Sequence, residues 1–138
     1  MLLAGDIGGT KTVLALFATE SNQLQSHYEV TFWNRDYTSL EAVITAFMRE
    51  TTTPITSACF GVAGPVVQGR AAITNLPWVI DASAIQQTFD FPQVFLLNDL
   101  EAIANAIPYL TPDDLVTLNE GTVEAESALA VIAPGTGL

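Results

Sequence analysis

The chain has 138 residues, 49% of them hydrophobic and 9% aromatic, which suits one domain with a sizeable core and excludes wholesale disorder. Four basic against 15 acidic residues give a net charge of −11, which argues against nucleic acid and against an anionic membrane surface as partners. Small phosphate-bearing ligands stay open, because main-chain N–H groups and Mg²⁺ can hold phosphate without cationic side chains.

The first elements read as strands. Leu2 to Ala4 and Thr12 to Ala18 flank Gly5-Asp6-Ile7-Gly8-Gly9-Thr10, and the second is a nearly continuous apolar run, the pattern of a strand covered on both faces. The glycines between them permit a tight hairpin with positive φ. Tyr28, Val30 and Phe32 alternate with polar neighbours, which predicts a third strand within Gln25 to Trp33.

A change of period follows. Thr38 and Glu41 have capping-box spacing, and Leu40, Val43, Ile44 and Phe47 recur at helical intervals, predicting a helix from about Ser39 to Glu50. Ile55 to Val62 reads as a buried strand, followed by a glycine-proline loop and a short strand near Ala71 to Thr74. Asp81 or Ser83 can cap a short helix through Phe89, Val94 to Leu97 is another strand, and a helix runs on to about Ala106 before Pro108. Strands are also expected at Leu115 to Leu118 and at Ala128 to Ile132. Three neighbouring strands followed by alternating helices and strands imply a mixed α/β sheet with helices on its faces.

Gly5 to Lys11, GDIGGTK, is the first candidate site. Glycines remove the Cβ atoms that would keep phosphates from main-chain donors, Thr10 adds a hydroxyl, and Asp6 could hold Mg²⁺ through water. The competing reading is a hairpin turn whose Asp satisfies local N–H groups. Asn98-Asp99 is the second candidate. It follows an apolar strand, at the carboxyl end where open α/β sheets bind ligands, and a carboxylate there can take a proton from an attacking hydroxyl. An ordinary helix N-cap would use the same residues.

Thr74-Asn75-Leu76-Pro77-Trp78 sets polar groups beside an aromatic, which suits a sugar or a loop packing its Trp. Gly61 to Pro65 and Pro134 to Gly137 are further glycine loops after strands. His27, the single histidine, reads as a surface residue of an edge strand, and Cys59, the single cysteine, as an inert core thiol with no disulfide partner. No basic leader precedes Met1-Leu2-Leu3-Ala4 and no apolar run approaches the roughly 18 residues of a membrane span, so a cytoplasmic location is expected. The end at Leu138, on a glycine loop, reads as that of a fragment.

Taken in order, GDIGGTKT, FGVAGPV, TNLPW, LLNDLEAIANAIP and APGTGL resemble the bacterial glucokinase family of the hexokinase, Hsp70 and actin ATPase superfamily, over essentially the whole chain. The resemblance implies a ribonuclease-H-like (actin-like ATPase) domain with a mixed five-stranded sheet and helices on both faces. It implies ATP, Mg²⁺ and glucose as ligands and allows a homodimer for the full-length enzyme. It makes Gly5, Asp6, Ile7, Gly8, Gly9 and Thr10 the first phosphate loop, with Asp6 the water-mediated Mg²⁺ contact. Asp99 becomes the catalytic base, with Asn98, Thr74 and Asn75 on the sugar side. Gly135 and Thr136 open a second phosphate loop, with Gly137 near the sugar.

On this reading residues 1–132 are the N-terminal domain and 133–138 lead toward a second domain, which in this family supplies further sugar ligands and the adenine pocket. The isolated chain is therefore expected to be inactive. A kinase for fructose or an amino sugar, a sugar-sensing regulator and a filament-forming ATPase are the alternatives on the same fold. The regulator usually carries a DNA-binding segment before its first phosphate loop, and here that loop begins at Gly5.

Overall fold

The computed structural model describes residues 1–20, 23–73, 75–122 and 127–133. Its contacts group into two units, Met1–Asp99 and Leu100–Leu138. The first unit is built on a five-stranded mixed sheet of β1 (Leu2–Ile7), β2 (Lys11–Glu20), β3 (Gln23–Trp33), β4 (Ser57–Val62) and β8 (Val94–Asn98), in the order β3-β2-β1-β4-β8. The pairs β1–β2 and β2–β3 are antiparallel, whereas β1–β4 and β4–β8 are parallel. This is the expected layout of a hairpin set feeding parallel crossovers.

Alternation decides which face is buried. Leu3, Gly5 and Ile7 of β1 stand in register with Leu16, Leu14 and Thr12 of β2 and with Ala58, Phe60 and Val62 of β4, so their side chains share one face. Helix α1 (Leu40–Met48) covers part of it with Leu40, Val43, Ile44 and Phe47, the four positions expected from the periodicity. Tyr28 and Phe32 of β3 meet Phe47 with ring centroids 5.3 and 6.4 Å apart. A small antiparallel sheet of β5 (Val66–Val67), β6 (Arg70–Ala72) and β7 (Val79–Asp81), together with α2 (Ala82–Phe89), adds Ala71, Ile80 and Ile85 to the same core.

Several local expectations change. Strand β1 continues through Gly5, Asp6 and Ile7, so only Gly8-Gly9-Thr10 remains as the turn. Among the described glycines only Gly69, at φ 72°, has positive φ, and the hairpin turns without it. Ser39, not Thr38, caps α1, because its extended backbone brings Oγ to the Ala42 N–H at 3.3 Å. Asp81 is the cap of α2, accepting from Ser83 and Ala84 N–H at 2.9 and 3.2 Å.

No strand forms at Leu115 to Leu118 or at Ala128 to Ile132. Apolar runs become strands only when a neighbour completes the ladder, and Val116, Leu118, Leu129 and Ile132 are each more than three-quarters exposed. The second unit carries α3 (Asp99–Ala106, whose first residue belongs to the first unit) and 3-10 turns at Ile107–Tyr109 and Pro112–Asp114. Among the described residues no helix is long and apolar enough to cross a membrane.

Candidate functional site

Three parallel strands, β1, β4 and β8, end on the same edge of the main sheet, with Ile7, Val62 and Asn98 in register across them. At a strand spacing of about 4.8 Å, the end of β8 lies about 10 Å from the end of β1. The two motifs singled out in the sequence, the glycine turn and Asn98-Asp99, therefore lie on one edge of the sheet with the end of β4 between them. Ligands of open α/β sheets collect at such carboxyl ends.

The turn itself is tightly held. Gly8 N–H donates to the Lys11 carbonyl at 3.0 Å. Asn34, buried at 1% exposure, donates from Nδ2 to the Gly8 carbonyl at 2.9 Å and from its main-chain N–H to the Thr10 carbonyl at 3.0 Å. Its Oδ1 accepts from the buried Thr12 hydroxyl at 2.8 Å. The N–H groups of Gly9 and Thr10 meet no acceptor among the described residues.

Gly5 has a different task from its loop neighbours. A Cβ there would lie 2.6 Å from Phe60 Cδ1 and 2.8 Å from Leu14 Cδ2, so this glycine makes room for the core. Asp6 is exposed and projects from the opposite face, in register with Val13 and Gly61. Ile7 is fully buried.

The loop after β4 closes over the same edge. Ala63 N–H donates to the Ile7 carbonyl at 3.0 Å, and Asn98 Nδ2 donates to the Gly64 carbonyl at 3.0 Å. Asn98 and Asp99 are half-buried at the β8–α3 junction. Asn75 is exposed, and its side chain sits 3.6 Å from where a Gly9 Cβ would be, so the TNLPW loop abuts the glycine turn. Trp78 of that loop is 3% exposed and belongs to the core, which settles the packing alternative for the aromatic.

Thr74, Gly135, Thr136 and Gly137 lie outside the described residues. Among the described residues no cluster of three His, Cys, Asp or Glu side chains could cage a metal. Asp6 belongs to no such cluster, and a Mg²⁺ that arrives with substrate phosphates keeps several waters and needs only one or two carboxylates. His27 is exposed on the end strand β3, as expected, and is the extra residue where the β2–β3 register shifts beside Leu16 and Phe17. Cys59 is half-buried on the sheet face opposite the core, not within it, and burial pushes its thiol pKa up. Asn34 was not marked by any sequence motif. Its partners are 22 and 26 residues away, so only the folded hairpin reveals it.

The glucokinase family profile matches residues 3–138. The glucokinase of Nostoc punctiforme is 39% identical over 140 residues, covering 100% of this chain and 41% of its own length. The crystal structure of a glucokinase from an Antarctic psychrotroph superposes with TM-score 0.81 at 33% identity, covering 91% of this chain and 40% of that one. A ROK family glucokinase from Streptomyces griseus, solved in complex with glucose and AMPPNP, shares the fold at TM-score 0.52 and 23% identity, over 75% of this chain and 34% of that one. The chain thus spans about two-fifths of the length of the relatives it matches. With the profile matched from residue 3 to the last residue and the mixed five-stranded sheet in place, the chain belongs to the glucokinase family and has its actin-like ATPase fold.

Proposed function

We propose that this chain is the N-terminal part of an ATP-dependent glucokinase, a phosphotransferase that makes glucose 6-phosphate in the cytoplasm. Residues 1–132 form its first domain and 133–138 begin the second phosphate loop. The observation that carries the reading is the shared sheet edge: a glycine turn with main-chain donors that meet no acceptor among the described residues and a carboxylate about two strand spacings away. That separation leaves room for a phosphoryl group at the turn and a sugar hydroxyl at the carboxylate.

In this reading Asp99 accepts the proton of the glucose 6-hydroxyl while that oxygen forms its bond to the γ-phosphorus and the bond to the ADP oxygen breaks. Gly9 and Thr10 offer main-chain N–H groups to the phosphates, from a turn whose Gly8 carries no Cβ to obstruct them. Asn75 and Thr74 hold the sugar side, with Asn98 fixing the loop at Gly64 as well as facing the substrate. Gly135 and Thr136 serve the phosphates and Gly137 the sugar. Mg²⁺ would be held by Asp6 through water and would neutralise phosphate charge.

Phosphoryl transfer depends on groups converging around the substrate, so the 138-residue chain by itself is expected to show little activity. The deciding experiment is Asp99→Asn in the full-length enzyme, followed by a coupled assay with glucose and a panel of other hexoses. Loss of a general base lowers kcat about 10²- to 10⁴-fold. Turnover preserved within a few-fold removes Asp99 as the base, and near-normal activity of the isolated chain removes the fragment reading.

A further inference from the structure

Two consecutive glycines make a poor scaffold for aimed donors. Without Cβ atoms the Gly8–Gly9 peptide plane can rotate at little cost, exchanging an outward N–H for an outward C=O. The first attracts a phosphate oxygen and the second repels it. Something must therefore select the orientation, and the turn's own ladder contact, Gly8 N–H to the Lys11 carbonyl, lies on the other side of the Gly8 Cα.

We propose that Asn34 is a positioning residue that aims the Gly9 N–H at the bound phosphates; the inference rests on the phosphate reading of the turn given above. In a planar trans peptide the C=O of one residue and the N–H of the next point in opposite directions. Asn34 Nδ2 holds the Gly8 carbonyl at 2.9 Å from its buried position, so the Gly9 N–H points away from the protein interior. The main-chain N–H of Asn34 does the same for the next plane but one, holding the Thr10 carbonyl at 3.0 Å.

The carboxamide cannot turn over. The Gly8 carbonyl only accepts, so the end of the amide that faces it must be Nδ2, and the Thr12 hydroxyl, which can donate, then serves Oδ1 at 2.8 Å. Thr12 is itself fully buried. Among the described residues, every side-chain hydrogen bond of Asn34 goes to the glycine turn or to the residue two positions after it. A buried residue serving packing alone would need neither amide atom, since an apolar side chain fills such a site without desolvating polar groups.

The test uses the full-length enzyme with Asn34→Ala, the isosteric Asn34→Asp, and Val43→Ala as a stability control in the core under α1. Asn34→Asp keeps an acceptor for Thr12 but turns a carboxylate oxygen toward the Gly8 carbonyl. Both Asn34 variants should raise KM for ATP about tenfold, the scale of one lost hydrogen bond in a buried site, with KM for glucose held within about twofold. Val43→Ala should lower Tm and leave KM for ATP unchanged.

A folded Asn34→Asp enzyme with ordinary KM for ATP overturns the inference, as does a Val43→Ala enzyme matched in Tm that raises KM for ATP equally. Should neither Asn34 variant fold, Thr12→Val is read in the same way, because it removes the hydroxyl that anchors the Oδ1 end of the carboxamide. Failure here is separable from failure of the functional reading: an inactive Asp99→Asn enzyme alongside normal ATP kinetics in the Asn34 variants removes only the positioning role of Asn34.

Discussion

Asn98, the last residue of β8, donates from Nδ2 to the carbonyl of Gly64, the loop glycine beyond β4, at 3.0 Å. This bond ties together two neighbouring strand ends of the candidate site. Gly64 is also confined from behind, since a Cβ there would lie 2.8 Å from the Ala72 carbonyl oxygen. The loop therefore has a side-chain tie on one side and no room for a larger residue on the other.

Replacing Asn98 by Ala removes that tie and leaves the Gly64 carbonyl without its side-chain donor. The expected loss in unfolding free energy is about 1 kcal/mol, measured by urea titration. In the full-length enzyme KM for glucose should rise while KM for ATP stays near its original value. A variant with unchanged stability would show that the loop is held by its main-chain bonds alone.

Gly5→Ala tests whether this motif glycine serves the core. Its new methyl would press on Phe60 and Leu14, both fully buried, and overpacking of this kind costs about 1–3 kcal/mol. Thermal unfolding should reveal the loss, and Phe60→Leu in the same chain should recover part of it by vacating the space of Phe60 Cδ1. If Gly5→Ala is as stable as the parent and weakens ATP binding instead, the packing assignment is wrong.

The Cys59 thiol, pushed above its ordinary pKa by burial, holds less thiolate at neutral pH than a free cysteine. Since the thiolate is the reacting form, alkylation by iodoacetamide at pH 7.5 should be slower than for a small free thiol. The rate should still be climbing at pH values where the free thiol has levelled off. Labelling at the speed of a free thiol would contradict the burial seen on this sheet face.

Local pattern carried much of the architecture. The 3.6-residue spacing of Leu40, Val43, Ile44 and Phe47 and the alternation of Tyr28, Val30 and Phe32 each mark a single buried face, and that face is the one used. The cap of α2 was legible to within Asp81 or Ser83 for the same reason, because a capping side chain reaches only two or three residues, and the structure chose Asp81. The runs at Leu115 to Leu118 and Ala128 to Ile132 misled because a strand needs a partner, and hydrophobicity does not say whether one is present.

Length and charge, by themselves, suited one domain with a sizeable core and argued against polyanionic partners, and the order of strands and helices marked a mixed α/β sheet. Motif order determined the family. What only the tertiary structure decided is the division of labour within GDIGGTK: Gly5 yields space to Phe60, Asp6 faces away from the core, and Gly8-Gly9-Thr10 is the turn. Asn34 belongs to the same category. Its hydrogen bonds cross from the end of β3 to the β1–β2 turn, and contacts across a sheet leave no periodic trace in the chain. Local interactions are written in neighbouring residues, whereas the aim of a peptide plane depends on groups that meet only after the strands have paired.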